Sequence, residues 1–186
     1  MIEESFYWKR ELFRIAIDLR RRRKQKRWPE ASLARIELNL MLGFYMIRKL
    51  LEARKVSDSI AKRRLRLPLY RATGRRITYR NAHRIEDLYD FSRSHSETRT
   101  VAFICDQLIH SYVFVPCIAD SLGWHGVIFA SDRQKSRGAF YLRSDQIVSI
   151  FRSVARNDPA WIRWQLNPRT GEERIQVGPH FPTTAA

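Results

Sequence analysis

The feature that most constrains this chain is the stretch from Pro29 to Val56. Leu33, Ile36, Leu40, Phe44, Ile47 and Leu51 recur at helical spacing, and Leu38, Met41, Leu42, Tyr45 and Met46 widen the stripe almost all the way round. A helix apolar on so many sides is expected at the centre of a core. It is too interrupted to cross a bilayer: its most apolar run, Leu38 to Ile47, contains Asn39 and Gly43 and is followed by Arg48 and Lys49. A first helix is expected from about Ser5 to Arg27, where Trp8, Leu12, Ile15 and Leu19 share one face. The acidic Glu3-Glu4 pair suits its positive end, and the run Arg20-Arg-Arg-Arg-Lys suits its negative end. Pro29 ends that helix or opens the next, and the short link makes the two helices antiparallel neighbours.

Beyond Ser57-Asp58-Ser59, a break or the cap of a short helix, the pattern changes. Leu65 to Tyr79 reads as extended, with Pro68 confining it to an edge strand or loop and Gly74 marking a turn. Ser96 to Ser111 reads as a helix with Val101, Ile104, Cys105 and Leu108 on one face. Tyr112 to Ala119, Trp124 to Ala130 and Ala139 to Leu142 are rich in β-branched and aromatic residues. A helix capped by Ser144-Asp145 is expected to reach about Arg156, and a hairpin is expected from Trp161–Leu166 and Glu173–Val177 around Asn167-Pro-Arg-Thr-Gly171. The expected class is α+β. Residues 1–112 are expected to form a bundle with long antiparallel helices, 113–178 a small β-containing module packed on it, and 179–186 a flexible tail.

Charge is distributed unevenly. Met1 to Arg84 holds 24 Lys or Arg against 8 Asp or Glu, whereas Ile85 to Ala186 holds 11 of each. The whole excess of +16 therefore lies in the first 84 residues, as expected of a half that faces a polyanion. Nucleic acid is the favoured partner, RNA ahead of DNA; the alternatives are an acidic protein and a merely solvated surface. Three clusters carry the charge: Arg20, Arg21, Arg23, Lys24 and Arg27; Lys62, Arg63, Arg64 and Arg66; and Arg75, Arg76 and Arg80. Trp28, Tyr70 and Tyr79 lie among them and suit stacking on bases, though such rings also fill core gaps. No helix-turn-helix, zinc-finger or RNA-recognition signature is present, so weakly selective, charge-driven binding is expected.

The segment Cys105-Asp106-Gln-Leu-Ile-His110-Ser-Tyr112 resembles the motif of HEPN domains, in which an Arg, four residues, His, one residue and Tyr lie along a helix of a small all-α bundle. His110 and Tyr112 match, Asp106 takes the polar position, and Cys105 stands where the Arg belongs. The resemblance implies a helical bundle over roughly the first 112 residues, a homodimer, and a setting in bacterial stress or anti-phage defence. In that family the His moves a proton in metal-independent RNA cleavage while the Arg stabilises phosphate charge. A thiol cannot replace a guanidinium there. The expectation is a degenerate, binding-competent domain, with a ribonuclease using His110 and a borrowed Arg such as Arg99 as the alternative. The simplest reading of His110 is a helix-end residue satisfied by Asp106. Arg76 and His83 fit a looser spacing of the same motif.

Cys105, His110, Cys117 and His125 lack the paired spacing of a zinc site, so no metal or other cofactor is expected. Phosphate-loop, G-x-S-x-G and H-E-x-x-H signatures are absent. The acidic start, Met-Ile-Glu-Glu-Ser, lacks the order of a secretion signal, so a cytoplasmic protein with reduced cysteines is expected.

Overall fold

The computed structural model describes residues 2–119 and 123–179. Helices α1 (Ser5–Arg22) and α2 (Glu30–Glu52) come first, then the short α3 (Asp58–Lys62), β1 (Arg64–Ala72), the single turn α4 (Ile85–Leu88) and β2 (Tyr89–Thr100). They are followed by α5 (Val101–Ile109), β3 (Ser111–Ile118), β4 (Trp124–Ser131), β5 (Gly138–Arg143), α6 (Ser144–Ala155) and the hairpin strands β6 (Trp161–Leu166) and β7 (Glu173–Gly178). No helix among the described residues is long and apolar enough to cross a membrane.

The class is α+β, but the expected N-terminal bundle of long helices does not form. Its place is taken by a five-stranded antiparallel sheet, in the order β2-β1-β5-β4-β3, with helices laid over one face. The strands come from both sides of residue 112, so the first half has no core of its own. Only α1 and α2 exceed twelve residues, and α1 packs chiefly on α6. α2 is not buried all round either: Leu38, Leu42 and Tyr45 form an exposed stripe opposite the buried Ile36, Leu40, Phe44 and Ile47. The expected tail, apart from Pro179, lies outside the described residues.

Alternation along the strands divides the sheet into two faces. Leu65, Leu67 and Leu69 of β1, Val127 and Phe129 of β4, and Phe140 and Leu142 of β5 point into the main core beneath the helices. Their neighbours Tyr70, Ile128, Ala130, Ala139 and Tyr141 belong to a smaller cluster on the opposite face, closed partly by Ile77, Ile85 and Leu88 of the β1–β2 connection and by Tyr89 at the start of β2. Pro68 sits on β1 between two partner strands, yet its missing N–H falls outside the short Leu69–Arg71 stretch paired with β5.

The helices are held to one another by specific contacts. Asn39 of α2, almost wholly buried, donates to Asp18 of α1 at 2.8 Å, and Arg22 donates to the same carboxylate. Lys9 of α1 is buried with its ammonium 2.7 Å from Asp158, just past α6. α1 therefore runs antiparallel to α6, its start beside Asp158 and its end beside Ser149. The hairpin leaves the body as a two-stranded ribbon. Val177 is buried at its base, and Ile162, Trp164 and Leu166 stand exposed along it.

The segment expected as a helix from Ser96 is a strand as far as Thr100. Ser92 to Thr100 is polar at nearly every position, which suits the exposed edge strand β2, paired with β1 from Arg64↔Thr100 to Tyr70↔Ser94. The helix begins only at Val101, capped by the Thr100 hydroxyl accepting from the Phe103 N–H at 3.2 Å.

Candidate nucleic-acid interface

The chain turns from α1 into an irregular link after Arg22, so the first basic cluster surrounds a helix end. Cations are favourable at that negative end, which alone explains their presence in part. What it does not explain is their neighbours. Arg20 and Arg23 open onto a groove of about 470 Å³ whose far wall is α6, lined by Ser149, Arg152, Ser153 and Arg156. Behind it, Arg63 donates one guanidinium nitrogen to the Ser153 hydroxyl and another to that of Ser149, both at 3.0 Å. Five guanidiniums thus surround two hydroxyls on one seam.

The single carboxylate lining this groove among the described residues, Asp145, is already engaged. Arg143 grips it in a two-pronged pair at 2.8 and 3.0 Å and holds its carboxyl below the ordinary aspartate range. No carboxylate lies within ion-pair distance of Arg20, Arg23, Arg63 or Arg152 among the described residues. Arg156 rests over the Phe13 ring at 5.1 Å, which fixes its position without neutralising it.

Arg152, Arg156, Ser149 and Ser153 lie in the electrically neutral half and were not singled out in the sequence. Their signal is nevertheless there: positions 149, 152, 153 and 156 form a polar stripe on a helix whose other face is Ile147, Val148, Ile150, Phe151 and Val154.

Other expected residues lie elsewhere. Arg21 lines a separate cleft between α1 and α2 with Glu11, Asp18 and Arg35, where charges are mixed. Lys24 and Arg27 are exposed in the link after α1, and Trp28 packs partly buried against the main core. Lys62 and Arg64 are exposed, and Arg66 donates to the Ser96 hydroxyl on β2. Arg75 lies 3.5 Å from Asp87, and Arg76 and Arg80 are exposed on the β1–α4 connection. His83 is exposed there as well, while Arg76 offers its carbonyl to the Asn81 side chain.

The eight-residue motif does not lie along one helix. α5 ends at Ile109; His110 is its exposed cap, with its N–H donating to the Asp106 carbonyl, and Tyr112 is already on β3 under the Lys135 ammonium. The Asp106 carboxylate is taken by Arg48 of α2 rather than by His110. Cys105 faces the main core and is fully buried. Arg99 stacks over Phe103 and Phe140 at the opposite end of α5, roughly 14 Å along the helix from His110 at 1.5 Å per residue. Cys105 and Cys117 are both free, and among the described residues no three His, Cys, Asp or Glu side chains come together as a metal site.

Burial pushes the Cys105 thiol far up and the Cys117 thiol to about 11. The thiolate is the reactive form. In native protein at pH 8, iodoacetamide is therefore expected to label Cys117 slowly and Cys105 only after unfolding, as read by mass spectrometry of tryptic peptides. Rapid labelling of Cys105 would mean that α5 does not pack as described.

In comparisons with known proteins, no family model matches the chain, and no curated protein and no solved structure matches it.

Proposed function

We propose that this is a cytoplasmic nucleic-acid-binding protein, favouring RNA over DNA, that holds a phosphate backbone in the α1–α6 groove. The observation that carries this reading is the surplus of guanidinium there: Arg20, Arg23, Arg152 and Arg156 around Ser149 and Ser153, with the one lining carboxylate among the described residues paired to Arg143. Guanidinium and hydroxyl donors are the groups that bind phosphate oxygens, and phosphates carry no sequence information, so binding is broad rather than selective. RNA is favoured because it offers single-stranded loops whose lone backbone one groove can follow.

The test is affinity for labelled single-stranded RNA and duplex DNA across a salt series. The expected result is a linear fall of log affinity with log salt, with a slope of about −3 for four phosphates on a single strand. Affinity that vanishes by physiological salt would overturn the reading and leave an acidic protein as the partner.

A further inference from the structure

The sheet face opposite the helices carries a strip of aromatic rings that the core does not use up. Phe91 of β2, an exposed residue, meets Tyr70 of β1 with ring centroids 4.7 Å apart and planes at 51°. Tyr141 of β5 lies further along the same face, half-buried, with its ring over Gly126 of β4. A Cβ at position 126 would stand 2.4 Å from the Leu142 carbonyl oxygen and 2.7 Å from that ring, so the glycine admits both the close backbone and the Tyr141 ring lying on it. Cys117 of β3 completes the strip, since Gly126 is its register partner. Next to these rings, the β1–α4 connection covers the rest of the face and presents Tyr79, 91% exposed, among Arg75, Arg76 and Arg80.

The strip and the groove meet at one junction. Asp145 lines the groove, while its partner Arg143 projects from β5 on the open-face side of the sheet, opposite Gly126. One turn into α6, Gln146 donates to the Arg66 carbonyl, bringing the start of α6 against β1, whose Arg66 side chain lies on that same face. Arg143 and Tyr141 stand two residues apart on β5 and share that face.

We propose that this open face is a base-stacking platform for single-stranded nucleic acid, with Phe91, Tyr70, Tyr141 and Tyr79 as the rings. The inference rests on the groove reading and adds the ligand class to it. A duplex keeps its bases stacked inside and offers these rings only its edges and phosphates. A single strand can lay bases on them, and every base has a face to stack, so sequence preference is weak. The nearby cations supply the charge that makes the occupant a polyanion rather than an apolar peptide.

The test uses a single-stranded RNA carrying 2-aminopurine, whose emission is quenched on stacking, beside a blunt-ended RNA duplex of equal charge. Wild-type protein is expected to quench the single strand. Phe91→Leu with Tyr141→Leu keeps apolar cover on the sheet and is expected to weaken single-strand binding by about tenfold or more while leaving duplex binding unchanged. Tyr79→Leu, at a site too exposed to affect folding, is expected to reduce the quench separately. Tight single-strand binding with no quench, or with full affinity in all variants, overturns the platform and leaves the groove standing. If wild-type protein binds neither RNA, both readings fall together.

Discussion

Changing Arg20, Arg23, Arg152 and Arg156 together to Glu is expected to lower affinity for single-stranded RNA by roughly a hundredfold or more near 0.1 M salt. Each phosphate contact on a single strand contributes about 0.7 to the salt slope, so losing four removes nearly all of the slope of about 3 expected of the wild type. Replacement by Ala removes the contacts without adding repulsion and isolates that change in slope. The essential comparison is a second variant with Arg133, Arg137, Arg169 and Arg174 changed to Glu. These residues are exposed on the β4–β5 turn and the β6–β7 ribbon, away from the groove. Both variants lower net charge equally. If the groove binds, only the first loses affinity; if both fall alike, the +16 acts as diffuse charge and the groove is not a site. Folding is not expected to confuse the result. Arg20, Arg23 and Arg156 are exposed, and the helix-end contribution of Arg20 is only about 0.3 to 1 kcal/mol.

Half of that groove is legible in the sequence. Arg20 and Arg23 announce themselves in an unbroken basic run. Arg152 and Arg156 do not, because counting charge by segment averages them against Glu86, Asp87, Asp90 and other carboxylates that lie far from α6 in the fold. Charge summed along a chain ignores which helices share a seam, and α1 shares its seam with α6 from the far end of the sequence. The same blindness explains the missed sheet. β1 reads as extended, but β2 is Ser, Arg, His, Glu and Thr over most of its length, without the apolar alternation that marks a strand. Its pairing with β1 is an edge property, set by backbone hydrogen bonds rather than by buried side chains. Without β2, the apolar faces of α1, α2 and α5 had no sheet to cover and could only be assembled into a bundle. Where β-branched and aromatic residues cluster, in β3, β4 and β5, and where Ser144-Asp145 opens α6, sequence and structure agree to within a residue or two. The aromatic strip was visible only in part. Tyr70 stood among basic residues, but Phe91 and Tyr141 join it through register, across β2-β1-β5.

The groove exists only if α6 is held at the right rotation, and the packing of Phe151 on α2 is one of the contacts that hold it. Gly43 of α2 faces the Phe151 ring of α6 so closely that a Cβ there would stand 2.2 Å from it. Phe151 is fully buried and meets Phe44 edge-on, with centroids 5.0 Å apart, so the ring has nowhere to go. Gly43→Ala is a contest between two effects. Helix propensity favours Ala by about 1 kcal/mol, while forcing a carbon into a packed core costs about 1 to 3 kcal/mol. A contact this short belongs at the upper end of that range, so net destabilisation is expected. Phe151→Ala is expected to cost about 3 to 5 kcal/mol. For a chain of this size that lowers the melting temperature by roughly 10 °C, measured by calorimetry or circular dichroism. The decisive measurement is the double variant. With the ring gone, the cavity accepts the new methyl and only the propensity gain remains, so Gly43→Ala changes sign and stabilises the Phe151→Ala protein. Gly43→Ala stabilising both backgrounds alike would mean that α2 and α6 do not meet at these residues. Ser149, Arg152, Ser153 and Arg156 would then lose the support that aims them at Arg20 and Arg23. Because Phe151 lies on the opposite side of the helix from Ser149 and Ser153, its packing helps to set where that polar stripe faces, and RNA affinity is expected to fall with stability in the Phe151→Ala variant.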